Sequence, residues 1–99
     1  MSDELDPVIH QTTRLRLMAV LCHLAPEDWI DFTILKKELE LTDGNLGAQL
    51  TKLEEAKYLK VKKQFVNRRP KTQVQATVKG RSAFESHCLA LRRIIENGL

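Results

Sequence analysis

The chain has 99 residues, 42% apolar and 29% charged, which suits one modest soluble core and not two. No apolar run approaches the roughly 20 residues that cross a bilayer. The opening MSDELDPVIH is acidic and lacks an apolar stretch, so neither a membrane span nor a secretory leader is expected and the chain is assigned to the cytoplasm.

The net charge of +3 conceals an asymmetry. Residues 1–56 hold five cations against eleven carboxylates, a net of −6. Residues 57–81 hold nine cations and no acid: Lys57, Lys60, Lys62, Lys63, Arg68, Arg69, Lys71, Lys79 and Arg81. Residues 82–99 cancel. A one-signed block of this kind is an electrostatic footprint for a polyanion. A strand face made basic for solubility is the bland alternative, but mixed signs would serve that purpose equally.

Asp6-Pro7 has the form of a cap followed by proline at a first helical position, so a short turn is expected at the start. Thr12 or Thr13 is placed to cap the next segment, RLRLMAVLCHLA. Leu15, Met18, Ala19 and Cys22 share one side of this helix. Leu17, Val20, Leu21 and Leu24 cover much of the rest, leaving only Arg16 and His23 as a polar strip. A helix apolar nearly all round needs cover on several sides, and a second copy of the chain is the expected cover. Pro26-Glu27-Asp28 ends it. Trp29 and Ile30 read as a short extended segment able to pair as a minor strand, with Trp29 a packing aromatic. Asp31 is set to cap FTILKKELE, whose Phe32, Leu35 and Leu39 fall on one face.

Leu41-Thr42 is a tight link. Thr42 has the character of an N-cap, and Asp43 suits the positive end of the helix dipole. Leu46, Leu50 and Leu53 then form a narrow apolar seam that ends at Ala56-Lys57. Two helices joined this closely, each with one apolar face, have the sequence form of a helix-turn-helix over about 31–57. From Tyr58 the period changes to two. Leu59 and Val61 alternate with lysines, and Val74, Ala76 and Val78 alternate with Gln73, Gln75 and Thr77. Between them Asn67-Arg68-Arg69-Pro70-Lys71 is expected at a hairpin tip, because proline does not donate to a ladder. This is a two-stranded basic wing over about 58–78. Thr77 should cap a last helix, 79–97, whose Phe84, Cys88, Leu91 and Ile95 line one face with His87 and Ile94 beside them. Asn97-Gly98 should stop it.

The fold class is therefore mainly α with a small β-hairpin, one domain over residues 1–99. The order helix, helix-turn-helix, basic wing, final helix resembles the winged-helix transcriptional regulators of the MarR and ArsR type, and especially their short single-domain relatives. The resemblance rests on DPVIH at 6–10, RLRLMAVL at 14–21, LTDGNL at 41–46, LTKLEEAKYL at 50–59, RRPKT at 68–72 and TVKGR at 77–81. It implies a dimeric, sequence-specific regulator in a bacterium or archaeon, a repressor by expectation, whose recognition helix enters the major groove of double-stranded DNA. Relatives usually carry serine where this chain has Gly47, and glycine where it has Lys57, at a point where the backbone would turn left-handed.

On the recognition helix Thr42, Asn45, Ala48, Gln49 and Lys52 are the candidate DNA contacts. Asn and Gln can bond both N6 and N7 of adenine in the major groove, and Ala can touch a thymine methyl. Thr42 and the first-turn amides can take a phosphate. On the wing, Arg68 and Arg69 could enter a minor groove or clamp phosphates, while Lys60, Lys62, Lys63 and Lys71 would neutralise the backbone. Leu17, Leu21, Phe84, Leu91, Ile94 and Ile95 are the expected contacts between two copies, across the first and last helices. Cys22-His23 and His87-Cys88 lie on those helices with His10 near in sequence. Adjacent helical residues point about 100° apart, and no C-x-x-C or H-x-x-x-H spacing occurs, so buried thiols rather than a metal site are expected and no cofactor is assigned. Nothing resembles an enzyme: there are no paired carboxylates, no nucleophile with a base and no glycine-rich phosphate loop. The basic strands lack the aromatic pairs that stack single-stranded RNA. A winged helix that binds an acidic protein partner is the alternative reading.

Overall fold

A computed structural model describes residues 4–98. Residues 1–3 and 99 lie outside it, and with them the outermost part of the acidic opening stretch. The elements run α1 (Thr12–His23), β1 (Ile30–Asp31), α2 (Phe32–Glu38), α3 (Asp43–Glu55), β2 (Leu59–Val66), β3 (Arg69–Ala76) and α4 (Val78–Asn97). The strands form an antiparallel sheet in the order β1-β3-β2, with Ile30 opposite Val74 and Leu59 opposite Ala76. The minor strand expected at Trp29-Ile30 thus exists, moved on by one residue.

The core sits where the three leucines of α3 meet α1 and the base of the sheet. Ile9, Leu17, Met18, Leu21, Leu35, Leu46, Leu53, Leu59 and Val74 are all essentially inaccessible to water. Fully burying such side chains contributes about 1.5–3 kcal/mol each. Most of the surface of α1 is covered by its own chain, by α4, α3 and β3. Leu17 and Leu21 were expected between two copies; they are 0% and 1% exposed inside one, and have nothing to offer a second. The all-round apolar pattern of α1 is met by three neighbouring elements of the same chain, with Leu15, Val20, Cys22 and Leu24 packed partly buried around it.

The helix ends show how far local chemistry sets the boundaries. Thr42 accepts a hydrogen bond from the backbone N–H of Asn45 at 3.1 Å, and Thr77 accepts one from Gly80 at 2.9 Å, so both caps stand where the sequence puts them. At α1 the cap is Gln11, not Thr12 or Thr13: its side-chain oxygen takes the N–H of Arg14 at 2.8 Å while its own backbone is extended. Asp31 occupies the cap position of α2 but makes no side-chain cap, because its carboxylate accepts from Gln73 at 3.0 Å instead. Both helices of the helix-turn-helix end in a left-handed residue. Glu40 (φ 52°) follows α2, with Leu41 N–H returning to Lys36 O at 3.0 Å. Lys57 (φ 66°) follows α3, with Tyr58 N–H returning to Leu53 O at 2.9 Å. These are Schellman turns built without glycine, a conformation that costs a side-chain-bearing residue about 1 kcal/mol.

The hairpin tip is tighter than expected. Asn67 and Arg68 alone form the turn, with φ of 52° and 66°, the signature of a type I′ connection whose twist suits two antiparallel strands. Arg69, Pro70 and Lys71 are inside β3, opposite Val66, Phe65 and Gln64. Pro70 is tolerated there because β1 reaches only as far as Gln73, so this end of β3 has an open side. Gly98, at φ 70°, closes α4 as expected.

Candidate nucleic-acid interface

α3 is oriented by its buried seam of Leu46, Leu50 and Leu53, which fixes what the remaining faces can meet. Its Gly47, Thr51 and Glu54 side borders the wing, sharing a cleft of about 270 Å³ with Phe32, Val61, Lys63 and Thr72. Asn45, Ala48 and Lys52 are exposed. Thr42 is also exposed, and although its oxygen caps the helix, its hydroxyl hydrogen stays available to a phosphate. Asp43 pairs with Lys36 at 2.9 Å, an exposed contact that ties the two helices of the motif together. No atom lies within 4 Å of where a Cβ would stand on Gly47, so glycine is not demanded there by space. Its departure from the family pattern leaves a gap beside the wing rather than relieving a clash.

Gln49 differs from its neighbours. It is half-buried on the side toward α1, and its side-chain oxygen accepts from Arg14 Nη1 at 2.7 Å. Its amide nitrogen donates to Asn45 Oδ1 at 3.3 Å. The two expected base readers are therefore joined to each other, and to an arginine that no helical spacing could connect with them, since Arg14 lies 35 residues away.

The wing divides its cations by strand alternation. Lys63 and the 77%-exposed Phe65 share the face of β2 that carries Leu59 and Val61, which is the α3 side. Lys60 and Lys62 are on the other face, where their ammonium groups stand 5.7 and 4.3 Å from the centre of the Trp29 ring. Trp29 is thus a platform for two lysines as well as a packing residue. Lys71 lies 4.0 Å from Asp31, so part of its charge is already answered within the chain. Arg68 and Arg69 are exposed at and beside the turn. A cleft of about 560 Å³, bordered by Asp43, Phe32, Val66, Arg69 and Pro70, separates the wing tip from the start of the helix-turn-helix.

Arg81 leaves the footprint altogether. Its guanidinium donates to the carbonyls of Leu21, Leu24 and Ala25 at 3.1, 2.9 and 3.2 Å, and so caps the end of α1 that carries the negative pole. Counting charge along the sequence includes it with the wing; its contacts make it a structural clamp between α1 and α4.

The turn that precedes α1 meets Tyr58 and α4 through a second polar cluster. Asp6 accepts from the N–H groups of Val8 and Ile9 and from the Tyr58 hydroxyl, and its own N–H donates to His87 Nδ1 at 2.9 Å. Burial pushes Tyr58 up to about 12, with the Asp6 carboxylate adding to it. Burial also lowers the His87 imidazole below 6.5, and the neighbouring His10 lowers it further. At the α1–α4 surface, Cys22 and Cys88 both border one cavity with His23, Arg81 and Glu85. Cys22 is half-buried but Cys88 is exposed, so the expectation of two buried thiols fails at Cys88; partial burial raises both thiols above 9.0. Among the described residues no group of three or more potential ligands could hold a metal ion.

Of the residues expected between copies, Phe84 and Leu91 are half-buried and Ile94 and Ile95 are 41% and 78% exposed. The surface of α4 that its own chain does bury is Gly80, His87 and Ala90. Leu89, at 49% exposed, adds to the bare apolar surface and was not foreseen. No described helix is long and apolar enough to cross a membrane.

Comparison with known proteins agrees with this architecture. Residues 13–95 match the winged helix DNA-binding domain family, and the chain belongs to that family. It is 34% identical to an uncharacterized protein of Methanocaldococcus jannaschii over 90 residues, covering 91% of this chain and 95% of that one. Its fold superposes with a TM-score of 0.81 and 28% identity on a transcriptional regulator homologue from Pyrococcus horikoshii OT3, over 90% of this chain and 85% of that chain.

Proposed function

We propose that this member of the winged helix DNA-binding domain family is a homodimeric, sequence-specific transcriptional repressor of the MarR and ArsR kind, working on double-stranded DNA in the cytoplasm. The observation that carries the reading is the division of labour around α3. An uncharged polar flank of Asn45, Ala48 and Gln49 stands on a helix held rigidly by its leucine seam, next to a hairpin whose exposed tip is cationic. In this arrangement α3 enters the major groove, Asn45 and Ala48 meet base edges, and Thr42 and Lys52 meet phosphates. Arg68, Arg69 and Lys63 follow the adjacent backbone or minor groove, and Phe65 packs on sugars. Lys60 and Lys62, stacked on Trp29, contribute at longer range.

Two copies would meet through the apolar surface of α4, with Ile94 and Ile95 at its centre and Phe84 and Leu91 at its edge. An exposed cluster of this kind is unusual on a monomer. Two-fold symmetry would then set two α3 helices against a pseudo-palindrome with half-sites about one helical turn apart. The decisive experiment is selection of bound duplexes from a random pool, followed by a salt titration on the winner and light scattering on the protein alone. A palindromic winner, steep salt dependence and twice the monomer mass support the reading. A monomer at micromolar concentration removes the dimer. Failure to bind any duplex, at low salt as at high, favours the alternative of a basic winged helix docked on an acidic protein.

A further inference from the structure

We propose that Phe65 and Pro70 form an apolar wedge on the wing, which enters a minor groove and unstacks one base step. The inference rests on the DNA-binding reading above and carries Phe65 past the sugars to the base stack.

Strand register sets the wedge. Phe65 on β2 stands directly opposite Pro70 on β3, so the two side chains share one face of the hairpin. That face also carries Lys63 and Thr72, which border the cleft against α3, and the Phe65–Pro70 pair is the next step outward. The two-residue turn of Asn67 and Arg68 follows closely, so the ring is held by paired strands and not by a loose loop. From the buried Leu59 out to Phe65 the strand spans about 20 Å, at roughly 3.3 Å per residue. That reach is comparable with half a helical turn of DNA, about 17 Å, which separates a major groove from the next minor groove.

The ring is left bare by its own chain. Trp29, Phe32, Tyr58 and Phe84 are half-buried, whereas Phe65 is 77% exposed. A single exposed apolar side chain needs no explanation. This one is paired with a second, in a segment where no carboxylate occurs between Glu55 and Glu85. Lys63, Arg68 and Arg69 flank the pair. Whatever covers it has to be strongly anionic and apolar at once. A second copy does not fit, because two wing tips would bring like charges together. Duplex DNA fits, with phosphates along the rims of the groove and apolar base faces between them. Phenylalanine and proline are both among the side chains that serve as wedges between base steps.

Opening a step costs stacking, and burying the ring between bases recovers part of that cost. Insertion is therefore favoured where the stack parts most easily, at pyrimidine–purine steps such as TA and CA. Arg68 and Arg69 then hold phosphates along the opened groove, and the duplex bends toward its major groove. The wing gains a preference for one flexible step without a hydrogen bond to any base.

The test places 2-aminopurine, which brightens when it leaves the stack, at each adenine flanking the α3 half-site of the selected duplex. Saturating wild-type protein should brighten one position, and energy transfer between dyes on the duplex ends should report a bend of about 20–90°. Replacing the pyrimidine–purine step at that position by a GC step should weaken the wild type about tenfold. Phe65→Ala removes an exposed ring and no charge, so it should fold normally and keep the salt slope. It should bind the selected duplex about tenfold more weakly and, once saturating, neither bend nor brighten it. It should also bind the two versions of the step within about twofold of each other. Phe65→Leu keeps an apolar wedge and should retain part of the bend and of the signal. A bound duplex in which no flanking position brightens, or one that brightens equally with Phe65→Ala, overturns the wedge and leaves the DNA-binding reading intact. If the wild type binds no duplex, both fall together.

Discussion

α3 and the wing are built on opposite physical plans. The stretch Leu41 to Tyr58 carries Asp43, Glu54 and Glu55 against Lys52 and Lys57, a net of −1, and its contacting flank is tied by hydrogen bonds back to α1. The wing carries no acid from Leu59 to Ala76, and its outer residues project with little packed against them. A group that reads bases needs a fixed geometry, because a bidentate bond fails with a small displacement. A group that attracts phosphate needs only charge within reach, and flexibility costs it little. On the proposed function, selectivity through hydrogen bonds and affinity through charge fall to different elements, and each should be open to disturbance without the other.

The largest effect is expected at the joint that holds the two together. Gly80 lies in the first turn of α4 against the backbone of Tyr58, where β2 leaves α3. A Cβ on Gly80 would stand 1.9 Å from the carbonyl oxygen of Tyr58 and 2.7 Å from its carbonyl carbon. Backbone cannot give way as a side chain can, so Gly80→Ala should cost about 3 kcal/mol or more. Chemical denaturation should show a much lower midpoint or no folded baseline, and a midpoint close to wild type would mean that α4 can shift along its axis. The contrast between α3 and the wing is then meaningless in that variant, because neither is placed.

Next in size is the wing itself. Arg68→Ala combined with Arg69→Ala should weaken binding to every duplex, and the slope of log K against log salt should fall by roughly 2. Preference among sequences should hardly change. The substitution at Arg68 also replaces one residue at positive φ by another, so the turn gains nothing in strain. An unaltered salt slope would remove the wing from the interface. Gln49→Ala should do the reverse. It deletes the link between Arg14 and Asn45, so discrimination between the selected and a random duplex should shrink by about 1 kcal/mol or more, with the salt slope unchanged. Equal losses on the two duplexes would mean that α3 contributes to affinity and not to reading.

Much of this design was legible in the sequence, and its illegible parts have a common cause. The caps at Thr42 and Thr77, the seam of α3 and the stop at Gly98 depend on residues within one turn of each other, and all stand as read. The hairpin was placed correctly but its tip was drawn too wide. Proline argued for a loop, and nothing in the sequence shows that β1 stops short and leaves Pro70 an open side. Leu17 and Leu21 were assigned to a second copy because a helix alone does not reveal how many of its own neighbours will cover it. Arg14 was given no role, and Arg81 was counted with the basic block. Their partners lie 35 residues away and up to 60 residues away, and only the fold brings them within reach. Arg81 drops out of the basic footprint for this reason, and Arg14 is joined to the candidate contact flank of α3.

The smallest effect expected is one of pH, and it separates the scaffold from both contacting regions. The Asp6 N–H donates to His87 Nδ1, so the ring proton is on Nε2, which is buried with no partner among the described residues. Protonation would place a second proton on Nδ1, facing a donor, and would charge a ring that burial and His10 already hold below 6.5, against a weaker pull from Asp6. A base with a lowered pKa in the fold binds its proton more readily when unfolded. Stability is therefore complete above about pH 6.5, the unfolded value, and declines as the pH falls toward the folded value. The decline cannot exceed about 1.4 kcal/mol per pH unit for one proton. Urea midpoints measured across this range should fall below pH 6.5 in the wild type and fall less in His87→Gln, which keeps an acceptor for Asp6 but does not titrate there. Identical pH profiles would remove His87 as the source of the dependence. The turn that His87 holds supplies the Val8 carbonyl to Arg14, and Arg14 holds Gln49, so the same acidification should loosen base preference before it alters the salt slope set by the wing.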